Sequence, residues 1–236
     1  VISSLDWTHI KSKYKLTDQS ILLLQTVLSK IDGSTLLANS ATEIMPSFKG
    51  EDNLRMYDFL LQTAGKEFIR QIPSIADTEP GSKGPFQLTD RVEVHVGRMS
   101  GSGVASLNSF EAHAQAAMEL YVHNLASALT ATQKWSVDPL VVAKKMTEMS
   151  ETELASLVAA YHHRPRSAEA ILKVWLLDDS KPSKSFSECA SIRGNSKTMT
   201  DAEKQSQDDR LRVVPYIAKT IANHDAVSKN FKSVGE

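Results

Sequence analysis

Two short runs carry side chains suited to a polar substrate: Gly84-Pro85-Phe86-Gln87-Leu88-Thr89 and, further on, Ala159-Ala160-Tyr161-His162-His163-Arg164-Pro165. Carboxylates precede both, at Glu43, Glu67 and Glu79. A carboxyl kept protonated by apolar neighbours can give its proton to a leaving oxygen and later take one back. Ile44, Met45 and Phe86 are the apolar residues available to do this for Glu43. Taken singly, each residue also has a plain reading. Glu43 is then a solvated helix-end charge, Tyr161 a core residue with a wet hydroxyl, and Gln87 a bridge between loop amides.

Other chemistries find less support. His162 and His163 are adjacent, point in different directions, and cannot chelate one metal as an i, i+4 pair does; exposed helix-end histidines are expected. The run Gly97-Arg98-Met99-Ser100-Gly101-Ser102-Gly103 lacks the Gly-Lys-Ser/Thr ending of a phosphate loop and reads as a connector. Cys189, the single cysteine, lies in a polar stretch without a neighbouring histidine, which argues against a nucleophile and excludes an intramolecular disulfide.

The elements that must position these residues are helical. Thr17-Asp18 caps a segment with its apolar stripe at Ile21, Leu24, Leu28 and Ile31, and Gly33 is expected to end it. A second helix, from Ser34 to about Met45, places Glu43 near its end; a third spans Asp52 to Arg70. Between Pro73 and Gly103, glycines and prolines dominate, with one alternating run, Val92 to Val96, fit for a short strand. Helical periodicity returns from about Leu107 to Gln133. Asp138-Pro139 starts another helix, Ser150 to Glu153 is a capping box launching a helix through Tyr161, and a further helix runs from about Ser167 to Leu177. Residues Asp178 to Met199, rich in Ser and Lys, read as loop; a capping box at Thr200 to Glu203 opens the last helical region.

In order and rough spacing, these features resemble the lysozyme-like lytic transglycosylases over about residues 20 to 177. Gly84-Pro85-Phe86-Gln87 is similar to that family's Gly-Leu-Met-Gln type loop, Phe110 to Ala128 to its core helix, and Ala160-Tyr161 to the start of its Ala-Tyr-Asn-Ala-Gly motif. The resemblance implies a mainly α fold: a lysozyme-like helical domain over residues 1–177 with a small loop or β region, and a C-terminal helical extension, 178–236, packing on it. It implies cleavage of peptidoglycan between N-acetylmuramic acid and N-acetylglucosamine by one Glu serving as acid and then base, the substrate's own hydroxyl closing an anhydro ring. Glu43 takes that role, because a helix end supports an acid more rigidly than the loop that carries the rival Glu79. Gln87, Phe86 and Tyr161 would line the sugar site. No metal or organic cofactor is implied. The alternatives are a hydrolysing muramidase on the same fold, with Asp77 or Asp90 positioning water, and a helical binding or structural module without activity.

Composition sets the outer bounds. At 236 residues and 41% hydrophobic content, the chain can build a substantial core. A net charge of −1 argues against nucleic acid as the main partner, which calls for a basic stripe. Apolar runs such as Ile21 to Leu24 are far too short for a membrane span, so no integral membrane segment is expected. The chain opens on Val1, a processed or trimmed start, and shows no signal peptide. The resemblance implies a periplasmic or extracellular setting, including phage particles, with glycan strands as the partner.

Overall fold

The computed structural model describes residues 5–44, 82–83, 86–89 and 110–232. Helix α1 (Trp7–Tyr14) starts where the Asp6 carboxylate accepts from the His9 amide at 2.9 Å, and it stops at Lys15, whose φ of 52° breaks the helical path. Helix α2 (Asp18–Leu28) starts from Thr17, whose hydroxyl accepts from the Ser20 amide. It closes at Ser29, short of the expected Gly33. Gly33 instead opens helix α3 (Gly33–Ile44), because the Asp32 carboxylate caps the Thr35 amide at 3.0 Å. A capping carboxylate just before a glycine favours a helix start over a helix end.

A two-residue antiparallel pair follows, β1 (Ser82–Lys83) with β2 (Leu88–Thr89), in the register Ser82 to Thr89 and Lys83 to Leu88. The expected helix at Asp52 to Arg70 and strand at Val92 to Val96 lie outside the described residues, as do Glu67, Glu79, Asp77, Asp90 and Met45. Then come α4 (Phe110–Lys134), α5 (Pro139–Glu148), α6 (Glu151–His163) and α7 (Pro165–Leu177). The Asp138 carboxylate caps Leu140 at 2.8 Å, with Pro139 at a position that needs no amide. At Ser150 and Glu153 both halves of the capping box form.

The Ser- and Lys-rich stretch expected as loop contains a helix, α8 (Phe186–Ser191), opened by its own capping box at Ser185 and Glu188. Its last carbonyls are satisfied by the buried guanidinium of Arg210, which donates to Cys189 O at 2.8 Å and Ile192 O at 3.1 Å. Cys189 is therefore a core residue on this helix rather than a loop residue, and burial pushes its thiol up to about 11. Helices α9 (Asp201–Leu211) and α10 (Val214–Lys232) complete the chain. The fold is mainly α.

Its centre is α6. Every residue from Leu154 to Tyr161 is buried, a pattern that requires neighbours on all sides. Those neighbours are α3, α4, α7, α8 and α10. Helix α10 packs along both α3 and α6, so the end of the chain is built into the same core as its beginning.

Candidate active site

Glu43 sits in the last turn of α3, and the chain fixes that turn with buried polar contacts. Thr42 is held on both sides: its hydroxyl donates to Ala38 O at 2.8 Å and accepts from Asn223 Nδ2 at 2.8 Å, with Thr220 Oγ1, also on α10, 3.4 Å away. One turn back, Asn39 Nδ2 donates to the Tyr121 hydroxyl of α4 at 3.0 Å. The end of α3 is thus tied to two helices, on faces flanking Glu43.

Only 11% of the Glu43 side chain is exposed, none of it at Oε1, which has no hydrogen-bond partner. Burial raises the carboxyl pKa to about 8, with the Lys219 ammonium on α10 pulling the other way. Tyr121 is fully buried nearby; burial first, and the Glu43 charge after the opposing Asn39 bond, hold its phenol well above the usual range. Near neutral pH, Glu43 therefore keeps its proton.

Across from it stands His162, in the last turn of α6, with Nε2 3.4 Å from Glu43 Oε1. Its side chain is 8% exposed, which corrects the expectation of a solvated helix-end histidine. Burial, and then neighbouring His163, lower its pKa to about 4, against a backbone hydrogen bond with Phe86. The pair is accordingly a contact between a neutral acid and a neutral imidazole, not a standing ion pair. His163 does behave as expected at the surface, where it stacks on Tyr216 with ring centroids 4.3 Å apart.

Phe86, which is fully buried, meets His162 through its backbone. Gln87 follows in a left-handed conformation, φ 48°, in the turn leading into β2. For a non-glycine residue that conformation costs on the order of 1 kcal/mol and is concentrated at functional turns. Gln87 remains partly exposed.

Tyr161 is placed differently. It is buried, its hydroxyl has no hydrogen-bond partner, and the charge acting on it is Glu169 of α7. Of the second motif, the residue that meets Glu43 is His162, one position on. A signal for this lies in the helical spacing: Leu154, Val158 and His162 recur at i, i+4 and i+8, on one stripe. Tyr121 is identified likewise, by its place on the buried face of α4 with Ala117 and Leu125.

Among the described residues no group of three or more His, Cys, Asp or Glu is arranged to hold a metal ion, and no single helix is long and apolar enough to cross a membrane. Surface clefts lie elsewhere among the described residues. One, of about 530 Å³, is lined by Lys184, Glu188, Ile192, Ile217 and Ile221; another, of about 490 Å³, by Asp32, Glu151, His224 and Lys229. Neither lining includes Glu43 or His162. In comparisons with protein-family models, curated proteins and solved structures, nothing matches this chain.

Proposed function

We propose that this chain cleaves peptidoglycan glycan strands as a lytic transglycosylase, with Glu43 as its acid and base. One observation carries the reading: a glutamic acid in the last turn of a helix tied to two others is almost fully buried, and that burial raises its pKa to about 8. Glycosidic cleavage requires an acid of this kind to protonate the leaving oxygen while an oxocarbenium-like transition state develops. In this reaction the Glu43 proton passes to the glycosidic oxygen as the bond to the sugar C1 breaks. The muramoyl C6 hydroxyl then bonds to C1, and its proton returns to Glu43. No water is consumed and no second carboxylate is needed.

The groups around Glu43 suit that economy. Among the described residues, the titratable groups acting on it are Lys219, Tyr121 and His162, and none of these three is a carboxylate. Gln87, displayed on its strained turn beyond Phe86, is the proposed sugar contact. Tyr161, facing Glu169, acts as a packing residue beneath the site rather than as a substrate contact. The setting is a cell-wall compartment or a phage particle, where such strands are met.

Mass spectrometry of the soluble products of purified peptidoglycan tests the reading. Anhydromuropeptides from wild type and none from Glu43→Gln support it. Reducing-end products would mean a hydrolysing muramidase. Equal products from both proteins would move the acid to another carboxylate, Glu79 first. No products from either would favour a binding module.

A further inference from the structure

We infer that His162 is the positioning residue of the acid: its Nε2–H, anchored on the Phe86 backbone, turns to Glu43 Oε1 once the carboxylate is charged, which leaves Oε2 to carry the transferable proton. The inference rests on the reading of Glu43 as the acid, and it gives the two carboxyl oxygens different tasks.

The geometry separates those oxygens. Oε1 is completely buried, faces Nε2 at 3.4 Å and has no hydrogen bond. The 11% of the side chain that stays exposed is elsewhere on it, so a substrate approaching from solvent cannot reach Oε1 first. On the imidazole, Nδ1 is buried and has no hydrogen-bond partner. Nε2 is thus the nitrogen suited to carry the single ring proton, hydrogen-bonded to the Phe86 backbone and lying beside Glu43 Oε1, toward which it can be shared.

A separation of 3.4 Å is long for a hydrogen bond, and a neutral carboxyl attracts the N–H only weakly. Once Oε2 has given up its proton, the carboxylate is charged, and a charge-assisted N–H···O bond of roughly 2.7–2.9 Å becomes favourable. The contact is therefore stronger after proton transfer than before it, which is the condition for accelerating the step. Burial keeps the imidazole neutral, so it supplies a dipole without adding a cation that would strip the acid of its proton beforehand. Among the described residues, the other charged or titratable groups facing the pair are Lys219 from α10, Tyr121 from α4 and His163 beside His162 on α6. Of these, Lys219 also favours the carboxylate, and the test must separate it from His162.

Titration by NMR does so without relying on activity. The protein is labelled with ¹³C at the glutamate carboxyls and ¹⁵N at the histidine rings, and wild type is compared with Glu43→Gln, His162→Leu, His162→Gln and Lys219→Met. Glu43→Gln assigns the carboxyl. The expected His162 ring signal is that of the Nε2–H tautomer. In His162→Leu the Glu43 acidity constant falls by about threefold or more, while His162→Gln, whose amide N–H reaches the same place, stays near wild type. Lys219→Met lowers the constant independently and leaves the His162 tautomer unchanged. An Nδ1–H tautomer, or a Glu43 midpoint that is the same in wild type and His162→Leu with the fold intact, overturns the inference. The same proteins are assayed on peptidoglycan. Anhydromuropeptide formation slowed about tenfold or more in His162→Leu and largely restored in His162→Gln supports positioning; equal rates in all three overturn it. Absence of anhydromuropeptides from wild type would strike down the transglycosylase reading, and with it the catalytic role of His162. The tautomer and midpoint would then still decide whether Nε2–H supports the carboxylate.

Discussion

Glu43 and His162 are both buried, yet their protonation equilibria move in opposite directions, since burial disfavours the charged form of each. This has a consequence for stability. For Glu43 the folded pKa of about 8 exceeds the ordinary 4.5, so the folded state holds the extra proton between these values and stability falls as pH rises through them. For His162 the folded pKa of about 4 lies below 6.5, so the unfolded state holds the extra proton and stability rises with pH from 4 to 6.5. The two trends oppose each other between 4.5 and 6.5. Above 6.5 the Glu43 contribution stands alone, and up to pH 8 it removes at most about 2 kcal/mol. Urea titrations at fixed pH should show this decline in wild type and a flatter profile in Glu43→Gln. An equally steep decline in both proteins would show that Glu43 is not the group responsible. The identity of Glu43 as a candidate was legible in the sequence, because helical periodicity alone puts it near a helix end. The burial of His162 was not. In the chain it belongs to a basic cluster with His163 and Arg164, and only the packing of α3 and the Phe86 turn against the end of α6 decides which of the adjacent imidazoles is covered.

At the scale of elements, the site depends on a joint between the first and last thirds of the chain. Helix α3 carries Glu43, but Asn223 and Thr220 of α10 hold the Thr42 hydroxyl beside it. Asn223→Ala removes a fully buried donor and leaves Thr42 short of a partner, at a cost of about 1–3 kcal/mol. Chemical denaturation checks that loss, and a larger fractional loss in peptidoglycan cleavage than in folded fraction would show that the joint also aims Glu43. A destabilisation well under 1 kcal/mol would mean that the bond is incidental. The same scale shows where local reading works. The capping boxes at Ser150 and Thr200 were visible as hydroxyl and glutamate three apart, and both form. Ser185 and Glu188 have identical spacing, yet composition masked them: a run rich in Ser and Lys suggests loop, whereas Phe186, Cys189 and Ala190 are buried in the core. Gly33 misleads for the complementary reason, because a glycine between two helices can end one or follow the cap of the next, and Asp32 decides the matter through its side chain.

Across the whole molecule, the division expected at residue 177 meets a continuous core. Val213 and Ile217 belong to the same buried cluster as Leu28 near the start of the chain and Leu157 at its centre. Ala226 and Val227 close over Ala41 on α3. A chain ending at residue 177 would expose those faces of α3 and α6, along with the apolar underside left by Phe186. Each large core side chain contributes roughly 1.5–3 kcal/mol when fully buried, and the net stability of a domain is only about 5–15 kcal/mol. Losing Phe186, Val213, Ile217 and Val227 together therefore removes as much as the whole fold has to lose. The expected outcome for residues 1–177 is a chain with helical circular dichroism far below that of the full protein and no cooperative thermal transition. Residues 1–236 nicked between α8 and α9 should instead stay associated, because Arg210 and α10 remain in place. A truncated chain that melted cooperatively would restore the division, and would assign α8 to α10 a role other than completing the core.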